Sequence, residues 1–144
     1  MIPRIGGAVF VATAVLVAVH FVIEPLYHVS TEDAPYSRFW DVLDVLRAVT
    51  IAMGLVFAYL RKRAAGGKSG GGAVTREFLV ANTLFYGLLS VGIMFYWNWF
   101  NLLSPAYTAV PAAAVSLTWM IIDAALPPLL GAIGVSLLRG GRDR

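Results

Sequence analysis

Four long apolar stretches, with nearly all the basic residues gathered on one side of them, constrain this chain more than any motif it contains. They cover residues 5–27, 39–60, 78–100 and 113–138. Each reaches the ~20 residues that a helix rising 1.5 Å per residue needs to cross ~30 Å of hydrocarbon. Lipid cannot satisfy an exposed backbone, so the stretches predict helices closed into a bundle. Transmembrane strands run ~10 residues and alternate in polarity, and these stretches do neither. The expected fold is all-α and integral to a membrane: a four-transmembrane-helix bundle in which residues 1–144 form one membrane domain.

Composition agrees. Charged residues make up 13% of the 144 positions and hydrophobic ones 59%, whereas soluble chains carry roughly 25% charged residues. The net charge of +3 does not point to nucleic acid. The basic residues sit between and after the apolar stretches, not on a face interleaved with aromatics. With no cysteine, disulfides, thiolate metal sites and thiol redox chemistry are excluded. The first run, residues 5–23, is longer than the core of a signal peptide and leads into Glu24-Pro25-Leu26-Tyr27 without a small-x-small cleavage site. It reads as a retained span.

Orientation follows from the positive-inside rule. Arg61, Lys62, Arg63, Lys68 and Arg76 lie between the second and third spans, Arg139, Arg142 and Arg144 follow the fourth, and Arg4 precedes the first. The other two connections hold one basic residue, Arg38, beside Glu32 and Asp33. Both termini are therefore expected in the cytoplasm, with the chain in an inner or plasma membrane. The connection 61–76, with Gly70-Gly71-Gly72, has the composition of a flexible linker. Gly67-Lys68-Ser69 within it lacks the first glycine of a phosphate-binding loop. A weak internal repeat joins the two halves. Trp40-x-x-x-Asp44 precedes a basic stop at Arg61, and Trp119-x-x-x-Asp123 precedes one at Arg139. Two hairpins in the same orientation would be related about the membrane normal, as in parallel-repeat transporters.

Measured from the basic ends, the polar residues converge on one depth. Along the helix axis Asp44 and Arg47 lie about 25 and 20 Å from Arg61, and Asp123 about 24 Å from Arg139. His20 and Glu24 lie about 24 and 30 Å from Arg4. With Asp41, Asn98 and Asn101 they form an outer-third polar cluster, and charges within spans face a bundle interior or a cavity. Each has a plainer role as well. Asp41 and Asp44 complement a helix dipole, and Asp44 and Arg47 at i, i+3 can pair. Asp123 stands out because Pro127 and Pro128 remove the hydrogen bonds to its carbonyl and to that of Ala124, predicting a kink or opening beside a carboxylate. The cytoplasmic half, nearly free of ionisable groups inside the spans, reads as packing.

His20, Glu24 and His28 recur at i, i+4, i+8, a spacing that would align metal ligands on a continuous helix. Pro25 is expected to end the helix at Glu24 and leave His28 in a loop, so a metal site would need the chain to fold back. Haem held by both histidines is disfavoured because they share one segment. The run Phe95-Tyr96-Trp97-Asn98-Trp99-Phe100, with Tyr27, Tyr36, Phe39, Trp40 and Tyr107, reads as an interfacial aromatic belt, or as a stacked box for a quinone or lipid. Small pairs at helical spacing, Ala8/Ala12, Ala14/Ala18, Ala48/Ala52, Gly54/Ala58 and Ala132/Ser136, allow close helix approach within the chain or to partners.

No catalytic signature is present: zinc-protease, nucleophile-elbow and cysteine redox motifs are all missing. The expected function is that of a non-catalytic accessory subunit of a larger membrane complex of respiratory or oxidase type. Its partners would be the lipid bilayer and other membrane subunits or further copies of the chain, not nucleic acid. The alternatives are a small oligomeric transporter or channel using the outer acidic residues, and a membrane enzyme or metal-binding protein with a His/Glu site. Which cofactor, if any, is bound cannot be read from the residues.

Overall fold

The computed structural model describes residues 2–31, 34–68, 74–104 and 111–140. Among them the chain is all-helical, with α1 (Ile2–Tyr27), α2 (Phe39–Lys68), α3 (Arg76–Leu103) and α4 (Ala112–Gly140). All four helices are long and apolar enough to cross a membrane. Consecutive helices are antiparallel. At one end Gly7 of α1 meets Gly134 of α4, Arg61 donates to the Ser136 hydroxyl at 2.9 Å, and Lys62 donates to Tyr86 at 2.7 Å. We call this the basic end. At the other, polar end His20 lies 3.1 Å from Ser37, and Asn98 donates to the carbonyl of Val115. α1 packs chiefly on α4 and α2 on α3, while α3 on α4 and α1 on α2 close the ring. α2 also reaches α4 across the centre.

The bundle is apolar outside and holds its polar residues within. Large apolar side chains such as Leu26 (84% exposed) and Val22 (71%) face outward all round. Thr13, His20, Asp44, Arg47, Thr50, Asn98 and Asp123 are buried. A soluble monomer rarely exposes apolar surface on this scale, and lipid is the solvent that tolerates it. Inside, buried residues repeat every third or fourth position, as in Leu84, Leu88, Val91 and Phe95 of α3 against Leu126, Leu130 and Ile133 of α4. Thr13 and Thr50 hydroxyls turn back to the carbonyls of Val9 and Leu46 and are satisfied within their own helices.

Helix association in lipid has no hydrophobic force behind it and rests on close packing. Glycine supplies that closeness between α1 and α4. A Cβ on Gly134 would lie 2.8 Å from the Gly7 carbonyl oxygen, and one on Gly7 2.9 Å from the Gly134 carbonyl oxygen. Of the small pairs read from the sequence, Gly54/Ala58 and Ala14 are buried in the bundle, whereas Ala8 and Ala12 face outward.

Three helix limits differ from expectation. α2 passes Arg61 and runs to Lys68, because Arg, Lys and Ala sustain a helix whether or not hydrocarbon surrounds it. The expected 61–76 linker is therefore helical over much of its length, and its residues 69–73 lie outside the described residues. α3 starts at Arg76, where Thr75 caps it by accepting from the Phe78 N–H at 3.1 Å. Neither proline site breaks its helix: Pro25 lies within α1, and Pro127 and Pro128 lie within α4. Glu24, which Pro25 should push out of helical geometry, is clamped by two hydrogen bonds from α2 and the residues before it. Of the kink or opening expected beside Asp123, the opening is not seen, since α4 is helical throughout and Leu126 and Leu130 lie in the core.

Gly134→Ala should destabilise the bundle by about 1–3 kcal/mol, since its Cβ meets backbone rather than a movable side chain. Gly6→Ala, where the added Cβ has open space, should be neutral or stabilising by up to about 1 kcal/mol. Thermal or SDS unfolding in detergent micelles checks the pair.

Candidate functional site

The polar end is organised around one guanidinium. Arg47 projects from α2 into the bundle centre and is 1% exposed. Its Nη2 donates to Asp44, one turn earlier on the same helix, and its Nη1 donates to Asp123 of α4. Three rings enclose the same group: its carbon lies 4.5 Å from the Trp40 centroid, 5.3 Å from Trp119 and 5.4 Å from Phe95. Each is within cation–π range. The backbone explains the convergence. Trp40/Asp44 and Trp119/Asp123 are i, i+4 pairs, so each presents a ring and a carboxylate on one helical face. α2 and α4 run in the same direction, which brings both faces onto Arg47 at one height. The two Trp-x-x-x-Asp motifs therefore grip a single residue.

A second network is joined to the first through Trp40. Its indole N–H donates to Glu24 Oε2 at 2.7 Å while its ring lies under Arg47. Glu24 Oε1 accepts from the Ser37 N–H at 2.9 Å. His20 lies 3.1 Å from Ser37 Oγ and 3.0 Å from the Tyr27 hydroxyl, which also donates to Ser37. The imidazole is flanked by Trp40 and Phe39 rings at 4.4 and 4.7 Å. On the α3 side the Tyr96 hydroxyl donates to the Ala48 carbonyl at 2.6 Å, tying α3 to the turn after Arg47.

The outer-third cluster is thus a contact cluster for Asp44, Arg47 and Asp123, with His20 and Glu24 one residue removed. Asn98 is fully buried one turn beyond Phe95, where its amide donates to Val115. Asp41 stays exposed in the first turn of α2. The His20, Glu24 and His28 set is not assembled. His28 follows the end of α1 and lies 3.1 Å from the Ala34 carbonyl. Among the described residues no three His, Asp or Glu side chains are placed to hold a metal ion.

The aromatic belt is only half a belt. Helical periodicity turns Phe95 and Trp40 inward and leaves Trp97 and Phe100 outward, while Tyr107 lies outside the described residues. Phe95 and Trp40, read as belt residues or as walls of a box for a quinone or lipid, enclose Arg47 together with Trp119. Ser37 and Tyr27 as partners of His20 carry no sequence signal, because a loop serine acquires its role only when α1 and α2 close. Among the described residues, the buried polar atoms Arg47 Nε, Asn98 Oδ1, Asn101 Nδ2 and Trp119 Nε1 find no hydrogen-bond partner. Among the described residues two cavities lie at the basic end, away from this cluster.

Chemically, the site holds a cation out of water at membrane depth. Arg47→Met should cost about 3–5 kcal/mol by leaving Asp44 and Asp123 buried without a counter-charge. Combining it with Asp44→Asn and Asp123→Asn should recover most of that loss, as read from unfolding in detergent. A triple variant no more stable than Arg47→Met would show that the carboxylates do not need the guanidinium. Compared with known proteins, the chain matches no protein-family model, no curated protein and no solved structure.

Proposed function

We propose that this chain is a non-catalytic structural subunit of a larger membrane assembly. The observation that supports it most is that the charges at membrane depth are spent on one another. Arg47, the only basic residue within the four apolar stretches, is held by Asp44 and Asp123 and covered by three rings, so it is not presented to a path. The outward apolar faces, with Ala8 and Ala12 exposed on α1, suit close packing by helices of other subunits. By the positive-inside rule we read the basic end as cytoplasmic, with both termini there, in an inner or plasma membrane. The matched Trp-Asp pairs on parallel helices support a reading of the chain as two related hairpins. Extraction in a gentle detergent should bring down stoichiometric partner subunits. A clean monomer or homo-oligomer would count against this function.

One observation favours a transporter as the second reading. Asp44 and Asp123 meet a single guanidinium with Glu24 one residue away, and an excess of carboxylate in low dielectric calls for a further cation or proton. Asp123→Asn should then abolish cation or proton flux in proteoliposomes, whereas a structural subunit shows no flux to lose.

A further inference from the structure

The basic end was expected to be packing alone, yet it contains a cleft of about 730 Å³. Arg61 lines it from α2, Arg76 from α3 and Arg139 from α4, and Glu77 is the one carboxylate in its wall among the described residues. Among the described residues none of the three arginines forms an ion pair. Arg61 is oriented by its hydrogen bond to Ser136, which also lines the cleft. Three guanidiniums lining one cleft from three helices give it a positive potential that favours an anion. Their planar forks match phosphate oxygens, two N–H groups at a time.

The walls say which phosphate. Val80 and Val135 flank the charged floor, and both are more than a third exposed. Behind Arg61 and Ser136 a narrow crevice of about 60 Å³ continues between Phe57, Leu84, Ile133 and Leu137. Charge at the helix ends and apolar surface beside it form an amphiphilic site. Inorganic phosphate would use only half of it.

We propose that this cleft binds the phosphate headgroup of an anionic membrane lipid, with Arg61, Arg76 and Arg139 holding the phosphate and Val80 and Val135 lying against the upper acyl chains. Basic pockets between transmembrane helices are suited to such headgroups. The site is independent of whether the chain is a subunit or a transporter, since it uses none of the residues around Arg47.

The full chain in phosphatidylcholine nanodiscs, titrated with phosphatidylglycerol and read by native mass spectrometry, tests it. Arg76→Gln and Arg139→Gln should each weaken retention about tenfold or more, the loss of a charge-assisted hydrogen bond to the phosphate. Both side chains are exposed, so unfolding temperatures should match the parent chain. Arg63→Gln removes an equal charge from an exposed residue outside the cleft and should leave retention unchanged. An equal loss in Arg63→Gln would reduce the effect to general surface charge and overturn the site. Competition on the unaltered chain needs no variant to fold: inorganic phosphate should fail to displace the lipid. Displacement at matched concentration would overturn the lipid assignment in favour of a free anion.

Discussion

The burial of one guanidinium organises the polar half of this bundle. An ionised group taken from water into an apolar interior costs tens of kcal/mol if nothing meets it. Arg47 is met by two carboxylates and three aromatic faces drawn from α2, α3 and α4. Those partners are correct in only one register. Sliding α4 by a single residue would turn Asp123 about 100° away from Arg47 and Trp119 with it. In lipid, where apolar side chains gain nothing by leaving the solvent for one another, such a penalty discriminates between registers more sharply than packing does. The ion cluster therefore specifies the fold, and its net stabilisation is a separate matter. A buried pair is often no more stable than a well-packed apolar replacement.

Trp40 extends that constraint to α1. Its ring completes the box around Arg47 while its N–H holds Glu24, and Glu24 in turn ties the start of α2 to the end of α1. The same carboxylate keeps helical a position that Pro25 disfavours. Local preference yields here because two hydrogen bonds and the docking of His20 against Trp40 act together. α1 otherwise shares little with α2 and leans on α4 through glycine.

Much of this was legible in the residues. The lengths of the apolar stretches set the number of helices, and counting from the basic stops placed Asp44, Arg47 and Asp123 at one depth before any contact was known. The Asp44–Arg47 pair follows from helical spacing alone. What spacing could not supply is azimuth. Depth does not say which residues face one another, so Phe95 and Trp119 read as interfacial anchors or repeat markers when they are walls of a cation box. Helix ends differ for a related reason: Arg61 marks the end of the apolar stretch, and the α2 backbone continues past it. The proline sites show the limit of local rules, since neighbouring helices decide whether a missing N–H breaks a helix or is absorbed.

The two ends of the bundle meet opposite electrostatic conditions. At the polar end carboxylates outnumber the one guanidinium, and attraction draws three helices onto a point. At the basic end Arg61, Arg76 and Arg139 stand on three helices with Glu77 as the one carboxylate among the described residues of the cleft. The helices are joined there by the glycine contact between α1 and α4 and by the hydrogen bonds of Arg61 to Ser136 and of Lys62 to Tyr86. The charge pattern from which we propose the chain's orientation also lines this cleft. A bundle locked by opposite charges at one end and lined by like charges at the other offers an anion its proposed site at the basic end.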